Sequence, residues 1–275
     1  INAVKQTDLK ALLAFSTVSQ LGLIISLLGM GSAALYFGGG EQSIIYGIAI
    51  FAAIFHMINH STFKGSLFMI VGIIDHETGT RDIRRLSGLM QIMPISFIQI
   101  GTRDLRRLGG LMAFMPISFS IALIGSFSMA GLPPFNGFLS KEMFFASSLE
   151  ASQMTIFNME SFGKLFPIIA WIASVFTFVY CMILVFKTFW GKYEPARMIK
   201  IPEKTPYGML ISPIILALFV IGIFFFPNVL AKALIIPTWG AILPSLANSR
   251  AFRYEIRAWR GITPELWMTI GFGIL

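Results

Sequence analysis

Three side chains able to take up or release protons, His56, His60 and Lys64, stand four residues apart in the stretch Phe55-His56-Met57-Ile58-Asn59-His60-Ser61-Thr62-Phe63-Lys64. The surrounding run, about 44–74, is apolar and holds no other His, Lys, Arg, Asp or Glu. Steps of four put all three on one helical stripe, about 12 Å long at 1.5 Å per residue. A charge at bilayer depth costs about 2.5–3.5 kcal/mol on insertion scales, so such groups persist only where they face protein, a partner or water. A row of titratable groups at this spacing suits water-bridged proton transfer. Snorkelling would explain the lysine but not the aligned histidines. A metal site on His56 and His60 fits less well. Met57 stands where a metalloprotease helix has its glutamate, no third ligand is near in sequence, and Lys64 would repel a cation, so no metal is expected.

A second candidate, Lys141, lies among Phe138-Leu139-Ser140 and Met143-Phe144-Phe145. Glu142 is adjacent and so points about 100° away on a helix, which does not make it an obvious partner. Lys141 follows Gly131-Leu132-Pro133-Pro134-Phe135-Asn136-Gly137. Two prolines flanked by glycines remove donors and clash one turn back, so the 111–147 run is expected to form two half-helices around an unwound loop. Gly131, Pro133, Pro134 and Gly137 mark that break. Backbone of this kind is tolerated at membrane depth only against protein or a wet cavity, and broken helices mark ion sites in transporters.

The elements that must hold these groups are membrane helices. Hydrophobic residues make up 56% of the chain and charged residues 12%, half the charged share of an ordinary globular protein. The expected fold is all-α, a polytopic transmembrane helical bundle with discontinuous helices, forming a single transmembrane domain over 1–275. Runs at about 12–36, 44–74, 111–147, 165–190 and 207–235 are long enough to cross about 30 Å of hydrocarbon, with a partial sixth after 262. The 44–74 run needs tilt or a break. The formal charge of +8 reads as topology rather than nucleic-acid binding, because the basic residues cluster between apolar runs. Residues 1–11, 75–110 and 187–206 carry thirteen Lys and Arg against five on the opposite side, which makes the first side cytoplasmic. Arg250, Arg253, Arg257 and Arg260 run against this count, and their steps suggest an amphipathic interfacial helix. The lone Cys181 excludes an intramolecular disulfide within this stretch. The triplet Gly38-Gly39-Gly40 does not match a phosphate loop, and no soluble cofactor is expected. The chain starts without Met and stops within an apolar run, which suggests an internal fragment of a longer protein.

Residues 79–100 recur at 101–122. Gly79 to Phe97 matches Gly101 to Phe119 at fifteen of nineteen positions. The first copy's apolar part, 89–100, is too short to span, so this copy is expected as an additional cytoplasmic or interfacial loop.

Three motifs in this order resemble the antiporter-like membrane subunits shared by respiratory complex I and the multisubunit Mrp-type cation/proton antiporters. They are Gln6-Thr7-Asp8-Leu9-Lys10-Ala11-Leu12-Leu13-Ala14-Phe15-Ser16-Thr17-Val18-Ser19-Gln20-Leu21-Gly22, the His56/His60/Lys64 stripe, and Ser128 to Glu142. Within the family, Asp75-His76-Glu77-Thr78-Gly79-Thr80-Arg81-Asp82 and the tail are most similar to the large Mrp A subunit. The tail motifs are Pro206 to Pro213, Phe226-Pro227-Asn228, and Thr263 to Thr269. The resemblance implies that His56, His60, Lys64 and Lys141 are proton-path positions. It implies assembly with other subunits in a bacterial plasma membrane, and exchange of cytoplasmic Na+ for external H+, by a transporter rather than an enzyme. The alternative is an antiporter-like membrane subunit of complex I, an NADH-quinone oxidoreductase. Ser61-Thr62 and Gly65-Ser66 make the stripe more polar than the family pattern, and the family's glutamate/lysine pair lies on helices upstream of Ile1.

Deleting one 22-residue register of the repeat, such as 79–100, leaves the number of spans unchanged, because 89–100 cannot cross a bilayer. Topology reporters fused after Lys200 check this. A reporter that changes sides would show that the first copy spans.

Overall fold

The computed structural model describes residues 1–36, 41–86, 111–112, 115–153, 163–190, 205–244, 255–259 and 261–274. Its elements are helical: α1 (Leu9–Tyr36), α2 (Glu41–Thr78), α3 (Ile83–Leu86), α4 (Pro116–Ala130), α5 (Asn136–Ala151), α6 (Leu165–Phe189), α7 (Tyr207–Phe225), α8 (Pro227–Leu230), α9 (Ile236–Ile242) and α10 (Pro264–Ile274). A π turn, Ala231–Ile235, joins α8 to α9. Among the described residues four helices are long and apolar enough to cross a membrane: Leu9–Tyr36, Ser43–Thr78, Leu165–Phe189 and Tyr207–Phe225. Large apolar side chains stand exposed along them, such as Val18, Leu21, Ile25 and Leu28 on α1 and Ile211, Ile215 and Leu218 on α7. Rows of this kind suit contact with lipid.

The expected runs fare differently. The 44–74 run does not break: it lies within one helix of 38 residues, about 57 Å at 1.5 Å per residue, longer than the hydrocarbon is thick. The 111–147 run divides into α4 and α5, with Gly131 to Phe135 between them. The 207–235 run does not continue as one span. It stops at Phe225, because Pro227 opens a new short helix that continues into the π turn. An amphipathic helix through Arg257 is not what forms at 255–259, which is irregular. There Asn228 grips the Ile256 backbone from both sides, accepting from its N–H at 2.8 Å and donating to its carbonyl at 3.0 Å. Arg250, Arg253 and Arg260 lie outside the described residues, as does most of the repeat, including all of 87–110.

Contacts divide the chain into two compact units. The first comprises Ile1–Thr17, Thr62–Ser126 and Val179–Leu218. The side chain of Asp8 caps α1 by accepting from the Ala11 N–H at 2.9 Å. Gly79, with φ 71°, closes α2 by donating to the Asp75 carbonyl. The two helix ends are then tied by Leu9 N–H to Arg81 O at 3.0 Å and Ile83 N–H to Thr7 O at 2.8 Å. Arg81 adds an ion pair to Asp8 at 3.3 Å. Beside it, a hydrogen bond from the Arg84 guanidinium holds the Asp82 carboxyl below its ordinary pKa.

The second unit comprises Val18–Ser61, Phe127–Phe178 and Phe219–Leu275. Within it α1 and α2 run antiparallel, with the Ser43 hydroxyl on the Ala34 carbonyl at 2.7 Å and Gly31 against Ile50. Phe51, Phe55, Phe145 and Trp239 are its largest fully buried apolar side chains, with Trp239 edge-on to Phe51 at 5.6 Å. Trp171 of α6 donates to the Met268 carbonyl of α10 at 3.2 Å. Gly137 sits in the first turn of α5, not in the loop, and a Cβ there would strike the Ser128 carbonyl of α4.

Gly137→Ala therefore forces backbone apart and destabilises the fold by about 1–3 kcal/mol. Gly222→Ala, which meets nothing within 4 Å, leaves stability unchanged or slightly raised. Melting of the purified protein in detergent separates the two. Equal melting temperatures would refute the close approach.

Candidate functional site

The break between α4 and α5 is built by local rules. Gly131, with φ +82°, is the left-handed residue that ends α4. Its N–H donates to Ser128 O and that of Leu132 to Phe127 O, both at 2.9 Å, the paired bonds of a Schellman motif. Pro133 and Pro134 follow, joined by a cis peptide, and both are exposed. Lacking an N–H, neither leaves a donor bare. The carbonyl of Ala130, last residue of α4, has no helical partner downstream. Lys141 supplies one. Its ammonium donates to Ala130 O at 2.8 Å, and its stem lies over Gly131, where a Cβ would collide with it. Cation and helix C-terminus are matched electrostatically as well. Lys141 is 1% exposed, one of the largest fully buried side chains.

The other side of the break is pinned by amides. Asn136 opens α5 and pairs with Asn59 of α2. The Asn59 Nδ2 donates to Asn136 O and the Asn136 Nδ2 donates to Asn59 Oδ1, each at 3.0 Å. Ser128 donates to Asn136 Oδ1 at 2.6 Å and accepts from the Gly137 N–H at 3.0 Å. Every group in this set is buried.

His56 is fully enclosed, at 1% exposure. Its Nδ1 meets Ser140 Oγ of α5 at 2.9 Å and its Nε2 meets Gln20 Oε1 of α1 at 3.0 Å. The residue next to Ser140 is Lys141, so one turn of α5 presents a histidine partner and an ammonium. His60 stands one turn along α2, with ring centroids 6.4 Å apart, and is less enclosed than His56. These groups belong to the second unit.

Lys64 belongs to the first unit and is also buried, at 4% exposure. Its ammonium donates to the Leu13 carbonyl at 3.1 Å and to the Ser16 hydroxyl. Ser16 already donates to the same carbonyl at 2.8 Å, so its lone pairs face the ammonium. A serine hydroxyl that donates to its own helix keeps its oxygen lone pairs available to a guest cation.

Spacing alone does not single out Gln20, Ser16, Ser140, Asn59 or Asn136. A signal is present all the same: each is polar within or beside an apolar run, where an unsatisfied polar group is costly. Among the described residues no cluster of three His, Cys, Asp or Glu is placed to hold a metal.

Long apolar helices, a broken helix sealed by a buried ammonium, and an enclosed imidazole bonded on both nitrogens define a multi-pass helical membrane protein with ionisable side chains in its interior. The profile of the family described as "NADH:quinone oxidoreductase/Mrp antiporter, TM" matches residues 1–102 and 96–167, two stretches that overlap within the repeat, and the chain belongs to that family. It is 56% identical over 271 residues to the A subunit of the Na(+)/H(+) antiporter of Alkalihalophilus pseudofirmus and 54% identical over 275 residues to that of Bacillus subtilis. These matches cover 98% and 100% of the chain but only 31% of each relative, so the chain spans about a third of their length. The solved Mrp complex from Dietzia sp. DQ12-45-1b superposes with a TM-score of 0.62 at 30% identity, over 99% of this chain and 24% of that one. An archaeal respiratory membrane complex, the membrane-bound sulfane sulfur reductase, superposes with a TM-score of 0.56 at 27% identity, over 81% of this chain and 29% of that one. The relatives and the helices make this a multi-pass protein of a bacterial plasma membrane.

Asn59→Leu removes the acceptor of the Asn136 Nδ2 and the donor to the Asn136 carbonyl, and destabilises the protein by about 1–3 kcal/mol. Asn59→Leu combined with Asn136→Leu does not recover it, since the Ser128 and Gly137 contacts are lost too. Thermal melting of both variants checks this, and full recovery in the double variant would show the pair to be dispensable.

Proposed function

We propose that this chain is the proton-translocating part of a multisubunit Na+/H+ antiporter, working with other subunits of a hetero-oligomeric complex. Its role is transport, and it carries out no catalytic turnover of its own. The observation that carries the reading is His56, buried and bonded on both ring nitrogens, on the same unbroken helix as Lys64 and beside the Ser140-Lys141 step of α5. An imidazole held at both nitrogens can accept a proton on one and release it from the other. Lys141 and Lys64 each donate from the ammonium to a backbone carbonyl. Such lysines store a proton and yield it when a neighbour's charge changes. His60 stands between His56 and Lys64 along α2 as the intermediate carrier. Similarity to relatives named as A subunits of Na(+)/H(+) antiporters, at 44–56% identity, supports sodium as the exchanged cation. The likeness to an archaeal respiratory complex favours the alternative, a membrane subunit of a redox-driven pump such as complex I, which uses the same proton groups.

The test places Lys64→Ala, Lys141→Ala and Lys141→Arg in the complete protein, assembled in its complex in everted vesicles. Sodium-driven proton movement falls about tenfold or more for each at normal abundance of the complex, as expected when a proton-transfer group is removed. Arg fails nearly as badly as Ala at position 141, because a guanidinium stays protonated. Full exchange with Lys141→Arg would make the lysine a fixed charge and not a relay.

A further inference from the structure

Within the second unit a half-open groove of about 390 Å³ lies between α1, α5 and α6. Its lining falls between residues 19 and 30 on α1 and between 166 and 177 on α6, with Phe144 and Ser148 from α5. The walls suit an apolar occupant. The hydroxyls of Ser26, Ser148 and Thr177 donate to the Leu23, Phe145 and Ala173 carbonyls of their own helices, so apolar contact leaves none of these donors bare. Gly22 opens one wall, where a Cβ would meet nothing within 4 Å.

The groove has the length of one leaflet. Each lining stretch is about 16 Å long at 1.5 Å per residue, half of a hydrocarbon layer about 30 Å thick. On α6 it starts in the first turn and ends at Thr177, the middle residue of the helix, so it reaches from the membrane surface to the midplane. The volume spread over that length gives a mean cross-section of about 24 Å², against about 80 Å² for a helix 10 Å across. That is the width of a single chain of methylenes, not of a helix. At the surface end stands Lys164, exposed, in the turn where the Phe166 N–H donates to Gly163 O at 3.1 Å. The start of α6 lies on the side opposite the basic, cytoplasmic segments, so this end meets outer headgroups. A lysine there binds a phosphate as a point charge. Glu150, about 200° round α5 from Ser148, acts instead on Tyr46 of α2.

We propose that this groove is a lipid site: it seats one tail of an outer-leaflet glycerophospholipid, with the headgroup phosphate at Lys164. The tail removes the apolar walls from competition for other partners and lies against Gln20, which lines the groove and places Oε1 3.0 Å from His56 Nε2. The lipid thereby shields the amide that holds the imidazole. The site stands on the groove, the helix lengths and Lys164, and is independent of the transport reading.

Photolabelling of the complete protein, assembled in its complex in phospholipid vesicles, tests this. The probes are a phosphatidylethanolamine carrying a diazirine midway along one tail and a fatty alcohol carrying the same tail without a phosphate. Adducts of the phospholipid, mapped by mass spectrometry, fall on the groove residues of α1 and α6 in excess over Ile211, Ile215 and Leu218 of α7, an exposed row that any bulk lipid touches. Gly22→Phe fills the groove and lowers its adducts about tenfold while those on α7 stay as they were. Ala173→Phe fills it from the other wall with the same result, so a folding defect in one variant leaves the other to decide. Lys164→Gln lowers groove labelling by the phospholipid several-fold and leaves labelling by the fatty alcohol unchanged. Groove adducts no more frequent than those on α7, or unaltered by both fillings, show bulk lipid only and overturn the site. An absence of groove adducts means that another occupant, such as a helix of the complex, covers it, and overturns the site as well. Unchanged phospholipid labelling in Lys164→Gln, or equal loss of both probes, overturns the headgroup contact. A complex that performs no sodium-for-proton exchange sinks the antiporter reading instead, while the labelling still reports on the groove.

Discussion

The ammonium of Lys141 on the carbonyl of Ala130 is the contact that makes the rest of the second unit possible. A helix that stops inside an apolar surrounding leaves carbonyls without donors, and hydrocarbon supplies none. The Schellman bonds through Gly131 and Leu132 use two of those carbonyls, and Lys141 reaches back across the break to a third. The same bond sets a buried cation against the negative end of a helix dipole, a favourable pairing of charge and dipole. The glycine is required twice over, for its positive φ and for the space that the lysine stem occupies. Moving the break by one residue would misalign both.

Around that contact the polar groups are arranged so that each satisfies another. Asn59 and Asn136 exchange hydrogen bonds, Ser128 serves the Asn136 side-chain oxygen and the Gly137 N–H, and Ser140 serves His56. In a low-dielectric interior such a network is favourable only when complete. It also sets geometry. The Gly137 approach to the Ser128 carbonyl holds α4 and α5 close, so that Ser140, one turn on, faces His56. In the first unit Lys64 follows the same logic on the carbonyl of Leu13 and the hydroxyl of Ser16.

Much of the scaffold is legible in the sequence, because helices and their breaks are written locally. Apolar runs of 19 or more residues announce the spans that form α1, α2, α6 and α7, and Gly131 with Pro133 and Pro134 announces the gap between α4 and α5. The four-residue steps of His56, His60 and Lys64 place them on one stripe of α2, since a helix imposes its period on whatever residues it contains. The end of α7 at Phe225 and the irregular chain at 255–259 depart from the sequence expectation, because hydropathy does not register a proline restart or a backbone gripped by Asn228. The partners lie beyond reach for a different reason. Ser140 is 84 positions from His56, Gln20 is 36, Asn136 is 77 from Asn59, and Ser16 is 48 from Lys64. No local period links such pairs. Hydrogen-bond partners in an apolar interior are chosen by which helix faces meet, and only packing in three dimensions decides that.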